Sequence, residues 1–190
     1  MATTLNSKFK DNWLKAALMA AVVLVSAFAL TACGNSEEEK TGIVEGEPVH
    51  LGPLEYNVLF TRPLNKSDVE DSQYLADQPF PKPGTTYIGV FVKIENTDED
   101  EAHRLPEGFK IITTTGKSFE NIPSESAYVL QPGSEVPKGG NVPELDSTPQ
   151  VGPIQASMLL YLMDDPSIEE RPVELHIEGE DGPATVELDL

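Results

Sequence analysis

Asn96, Asp98, Asp100 and Glu107 stand at positions one, three, five and twelve of a calcium-loop spacing, just after a strongly apolar run. Oxygen-bearing side chains spaced in this way can wrap a calcium ion, a hard cation that takes only oxygen ligands. The stretch departs from that pattern where the sharp turn needs glycine, because Glu101 stands there, and Pro106 sits beside the last ligand. Two readings therefore stand side by side: a calcium site on Asn96, Asp98, Asp100 and Glu107, or a solvated acidic turn between two strands. His176, between Glu174 and Glu178, is a second place where a cation could sit, with Glu187 and Asp189 on the next strand. The plainer reading there is a carboxylate-rich strand surface carrying one histidine. His50 and His103 have no partner that the sequence can name, and Met158 and Met163 read as core.

Catalysis is not expected. The sequence has no nucleophile-elbow serine, no paired zinc histidines and no phosphate-cradling glycine loop. Its carboxylates are too many for a general acid and base pair to be singled out. No cofactor is implied.

Position does imply chemistry for Cys33, the single cysteine of the chain. Lys8, Lys10 and Lys15 against Asp11 precede an uncharged run, residues 16–32, as in the charged and apolar regions of an export signal. The run closes on Leu30-Thr31-Ala32-Cys33, which resembles a bacterial lipobox. That resemblance implies a diacylglyceryl group on the Cys33 sulfur, then cleavage before Cys33. The alternative is an uncleaved transmembrane anchor, since about 18 apolar residues can just span a bilayer. Against it stand the richness in alanine and the stop at the cysteine.

With residues 1–32 as signal peptide, removing 32 of 190 residues leaves 158, the size of one domain with a tether. The loss of three lysines and one aspartate takes the formal net charge from −19 to −21. So acidic a chain repels phosphate backbones and anionic headgroups, so nucleic acid is excluded as a partner and attachment to the membrane falls to the lipid on Cys33. Once Cys33 is acylated no thiol remains for a disulfide, so packing must hold the domain. Residues 33–47 are acidic, glycine-containing and without apolar period, and read as a flexible tether.

From residue 48 to 190 the chain alternates in short runs broken by Gly, Pro, Asn and Asp, which predicts a mainly β domain. Leu54, Tyr56, Val58 and Phe60 share one face of a half-buried strand, with Leu59 out of pattern. Residues 86–95 are the strongest strand: Ile88, Val90, Val92 and Ile94 face one way, Tyr87, Gly89, Phe91 and Lys93 the other. Apolar groups on much of both faces predict a central position. Residues 109–113 and 118–122 read as a hairpin, residues 156–163 as a buried strand, and residues 173–178 and 186–190 as a closing pair. Residues 124–148 read as loop holding at most a short strand. Roughly seven strands predict an immunoglobulin-like two-sheet β-sandwich.

Residues 63–84 form a long, proline-rich connection without alternation. Ser67-Asp68-Val69-Glu70 has the form of a capping box that starts one or two helical turns. Tyr74 and Phe80 then either contact a partner or fold back as a cover on the sandwich.

The strand from Tyr87 to Asn96, the later Leu130-Gln131-Pro132-Gly133 and the closing Pro172-Val173-Glu174-Leu175-His176-Ile177 resemble bacterial lipoproteins of unknown function with an immunoglobulin-like domain. These are similar to the immunoprotective extracellular domain family. The resemblance implies a fold and an envelope location and carries no catalytic signature. The function expected is a lipid-anchored extracytoplasmic binding or interaction module whose partner is an unidentified envelope or extracellular protein. The alternative is a calcium-binding envelope lipoprotein.

Overall fold

A computed structural model describes residues 38–190. In chain order its strands are β1 (Lys40–Val44), β2 (Pro48–Leu51), β3 (Leu54–Leu64), β4 (Thr85–Asn96), β5 (His103–Arg104) and β6 (Lys110–Thr113). They continue with β7 (Ser118–Glu120), β8 (Glu135–Val136), β9 (Asn141–Val142), β10 (Ser157–Asp164), β11 (Val173–Ile177) and β12 (Ala184–Leu188). Single helical turns occur as α1 (Val69–Ser72), α2 (Thr148–Val151) and α3 (Asp165–Ile168).

The chain is an immunoglobulin-like two-sheet sandwich. One sheet runs β1-β12-β11-β6-β7 and the other β10-β4-β3-β2, while β5 and β8 form a separate small ladder. β10 pairs with β4 antiparallel as far as Val92, and β9 pairs with β4 at Ile94 and Glu95. The alternation in β4 decides its place. Ile88, Val90, Val92 and Ile94 are essentially buried in one cluster with Val173, Leu175 and Ile177 of β11 and Val186 of β12. Each such side chain contributes about 1.5–3 kcal/mol when fully removed from water, which makes this inter-sheet layer the main source of cohesion.

The outward face of β4 changes character halfway. Tyr87 and Phe91 are buried in a second cluster with Leu64, Tyr74, Leu75, Ala156, Met158 and Leu160, whereas Lys93 and Glu95 are exposed. A cover therefore lies over the first half of the strand only.

Three expectations are corrected by the structure. The segment read as tether contains β1, which pairs in parallel with β12 through Lys40, Ile43 and Val44. Lys40 N–H donates to the Pro183 carbonyl at 2.9 Å and Ile43 packs on the core, so the edge of β12 is satisfied by residues that show no alternation of their own. Leu59 is out of pattern because β3 carries an irregularity between Val58 and Phe60, which pair with the consecutive residues Val92 and Phe91. That extra residue sends Phe60 to the outer face, where it stacks on Phe91 at 4.8 Å between ring centroids. The cap of α1 is Asp68 rather than Ser67: its carboxylate accepts from Glu70 N–H at 2.8 Å.

Candidate functional site

The predicted calcium residues lie at one end of the sandwich, where β4 hands over to β5, and the structure spends them on the turn. Asn96 is fully buried, and its amide nitrogen donates to the carbonyls of Glu101 at 2.9 Å, Val136 at 3.2 Å and Pro137 at 3.1 Å. Its side-chain oxygen accepts from Asp98 N–H. Asp98 in turn accepts from the backbone N–H groups of Asp100 at 2.8 Å and Glu101 at 3.1 Å. Glu107 lies over Gly133, where a Cβ would come within 2.8 Å of its carboxylate. Among the described residues no three His, Cys, Asp or Glu side chains converge as a metal group. The calcium assignment on Asn96, Asp98, Asp100 and Glu107 is therefore corrected: the Asn96 side-chain oxygen is buried and already accepts from Asp98 N–H, and both Asp98 oxygens are engaged by the Asp100 and Glu101 N–H groups and by His103.

The other Asp98 oxygen stands 3.1 Å from His103 Nε2, and Glu180, from the β11–β12 turn, stands 3.6 Å from Nδ1. Hydrogen bonding to Asp98 and the nearby Glu180 raise the imidazole above its ordinary pKa, and the Asp100 amide and His103 lower the Asp98 carboxyl. Beside this cluster a cavity of about 240 Å³ opens between the two sheets. Leu51, Leu54, Leu105 and Pro106 wall it, together with the Tyr56 ring, while Arg104, Glu178 and Glu180 bring charge to its lining.

Tyr74 is corrected as a partner contact. It is 2% exposed and sits edge-on to Phe91 and Tyr128 at 5.5 and 4.8 Å. Phe80 remains 67% exposed, with the Lys66 ammonium 5.9 Å above its ring. The connection that carries both is tied down by Asp71. Its carboxylate accepts from Asn65 N–H at 2.8 Å and from the Arg62 guanidinium.

The uncovered half of the outer face forms a groove of about 340 Å³. Glu55 and Asn57 of β3 and Lys93 and Glu95 of β4 form its floor, and Asn141, Leu145 and Gln150 its side. Leu145 is 75% exposed, and the Asn57 side-chain oxygen is a buried acceptor without a partner. The sequence offered a signal for this groove in the switch from Phe91 to Lys93 on one face of β4, but nothing in it placed residues 141–150 alongside. His176 lies opposite Thr185 and Lys110, with Glu174 at 3.7 Å, and among the described residues it joins no group of carboxylates that could hold a metal ion. His50 pairs with Glu55 across the β2–β3 ladder at 3.0 Å. Cys33 and the signal segment lie outside the described residues.

No family model and no curated protein matches the chain. Among solved structures, the yjhA protein from Bacillus subtilis aligns with a TM-score of 0.52 at 14% identity, covering 77% of this chain and 99% of that one. An uncharacterized β-sandwich protein from Clostridium difficile 630 aligns with a TM-score of 0.50 at 11% identity, covering 82% and 98%. The chain is thus similar in fold to β-sandwich proteins, and at these identities the likeness is one of fold. No helix among the described residues is long and apolar enough to cross a membrane.

Proposed function

We propose that the chain is a lipid-anchored, extracytoplasmic interaction module of the bacterial envelope, held by a lipid on Cys33 and engaging an envelope or extracellular protein through the groove on β3 and β4. The half-covered outer face carries this reading. The cover buries Tyr87 and Phe91 and stops before Lys93 and Glu95, which leaves a polar floor flanked by the exposed Leu145. An exposed apolar residue standing beside a buried acceptor without a partner, the Asn57 side-chain oxygen, is the composition of a binding surface rather than of a finished exterior. The lipobox ending at Cys33, the acidic charge and the likeness of the strand motifs to immunoglobulin-like lipoproteins support the location.

Two measurements test it. Palmitate labelling of the chain in bacteria should be lost in Cys33→Ala, with unprocessed precursor left behind, and normal labelling of that variant removes the anchor. A photo-crosslinking residue at position 145 should give a discrete protein adduct that the same residue at Lys110, on the other sheet, does not give. Equal adducts from both positions, or none from 145, remove the groove as the contact.

A further inference from the structure

The register of β3 and β4 sets the chemistry of the groove floor. Glu55 and Glu95 stand directly opposite each other across the two strands, and both line the groove. Residues so placed have Cβ atoms about 4.5–5.5 Å apart, and like charges there work against the pairing of the strands. Glu55 has His50 beside it at 3.0 Å on β2, but Glu95 joins no ion pair among the described residues. Lys93 is the single cation among the described lining residues, and it stands one rung away, opposite Asn57. The two facing carboxylates are thus left without a cation that bridges them.

Asn57 points independently to a ligand. It follows Glu55 by two residues on β3 and shares its face, and its side-chain oxygen is a buried acceptor without a partner. An acceptor left in that state has lost its water and gained nothing, so a donor brought to it recovers the loss. Leu145, 75% exposed at the side of the groove, adds an apolar surface next to these acceptors. What enters must therefore carry positive charge, several N–H donors and an apolar stem. A guanidinium has five N–H donors in a planar fork on a stem of methylenes, whereas an ammonium is a point charge that does not span two carboxylates and an amide oxygen together.

We propose that the groove takes an arginine side chain of the partner protein, its guanidinium bridging Glu55 and Glu95 and donating to the Asn57 oxygen, its methylenes lying along Leu145. This rests on the reading of the groove as the contact surface and adds the residue that the partner inserts. Lys93 opposes the incoming charge from the next rung, so its removal should tighten binding.

The test is an NMR titration of the full chain in a mild zwitterionic detergent, with the amides of N-acetylated arginine, lysine and citrulline as probes. Citrulline keeps the size of arginine and lacks its charge. The arginine amide should shift the Asn57 and Glu95 resonances saturably, with the other two on the order of tenfold weaker. Glu95→Gln should weaken the arginine amide by a similar factor, with a melting temperature no lower than the parent's, and Lys93→Gln should strengthen it. Glu174→Gln, a carboxylate lost from the other sheet, should leave it unchanged and so separates the groove from the overall negative charge. No saturable shift, equal affinity for arginine and either other probe, or equal losses in Glu95→Gln and Glu174→Gln would each overturn the proposal. A position-145 protein adduct that is undiminished in Glu95→Gln would overturn the arginine while the groove stands as the contact. A parent that gives no adduct from position 145 removes the groove, and this proposal with it.

Discussion

Asp98 and His103 close the turn after β4 on itself, carboxylate Oδ2 to imidazole Nε2 at 3.1 Å. The contact pins the end of one sheet, and Glu180 on the other side of the ring ties in the β11–β12 turn from the opposite sheet. The His103 ring is thus a bridge between sheets whose strength follows its proton.

The pH dependence has a definite sign. The folded pKa of His103 lies above its ordinary value of 6.5, so the stability it contributes is complete below that pH and is lost as the pH rises through the folded value. Asp98 is lowered from 3.8, first by the Asp100 amide and then by His103, so its contribution is complete above 3.8 and lost as the pH falls through the lower folded value. The melting temperature should therefore decline on the alkaline side of about pH 6.5. His103→Gln should flatten that decline while keeping most of the acid limb, because the amide of Asp100 still holds Asp98. An alkaline decline of the same size in the variant would show that His103 is not the group responsible.

Tyr74 and Phe80 should behave oppositely although they are close in sequence. Tyr74 is enclosed by Phe91 and Tyr128, and Tyr74→Ala should cost about 3–5 kcal/mol through the cavity it leaves. Phe80→Ala at an exposed site should stay within about 0.5 kcal/mol. Denaturant midpoints read both. Similar losses in the two variants would mean that Phe80 also packs. Replacing residues 65–82 by a short linker should then be costly, since it uncovers Phe91 and Tyr87.

Much of this architecture was legible in the sequence, and what was not has physical reasons. β4, β10 and β11 announce themselves because burial on one or both faces forces period-two or continuous apolar runs, as in Ile88 to Ile94 and Val173 to Ile177. β1 does not, because an edge strand joined by backbone pairing to β12 needs few apolar side chains of its own. The bulge at Leu59 left a trace as a break in alternation, but a break does not say which face the following residues take. The fate of Tyr74 and the groove both depended on how loops lie over the outer sheet, a long-range matter that local patterns do not encode. The same holds for the calcium spacing: Asn96 to Glu107 has the right residue types, and it is the hydrogen bonds accepted by Asn96 and Asp98 within the turn that show what they serve.

Val90→Asp and Lys93→Asp test the two faces of β4. Val90 is fully buried between the sheets and Lys93 is exposed. A carboxylate at 90 must be buried unpaired or take up a proton, and a loss of about 3 kcal/mol or more is expected. At 93 the change should be within about 1 kcal/mol, and unfolding midpoints that coincide would reverse the assignment of faces.

Asp71 should govern the order of the cover. Burial pushes its carboxyl up, but hydrogen bonds from Arg62 and Asn65 outweigh this and hold it below the ordinary range. Asp71→Ala leaves the Arg62 guanidinium and the Asn65 N–H without their acceptor, and faster amide hydrogen exchange is expected at Asn65 and Leu75 than in the parent. Unchanged protection at both amides would show that Tyr74 and Leu75 hold the connection by packing alone.

Gly179 and Gly108 separate close approach from backbone freedom. Neither has the left-handed φ at which glycine is favoured, so added side chains are judged by space alone. A Cβ at 179 would stand 2.5 Å from the Leu51 Cβ and 3.0 Å from the Gly182 carbonyl oxygen, both fixed parts of the turns that close the end of the sandwich. At 108 the nearest atom would be 3.8 Å away. Gly179→Ala must therefore push the β11–β12 turn off β2, at a cost of about 1–3 kcal/mol for overpacking. Gly108→Ala should be within about 0.5 kcal/mol of the parent. Because Gly182 N–H donates to the Gly179 carbonyl at 3.3 Å, the displaced turn should also exchange the Gly182 amide faster in Gly179→Ala. An undiminished melting temperature with that amide still protected would mean that β2 and the turn are not in contact at Leu51.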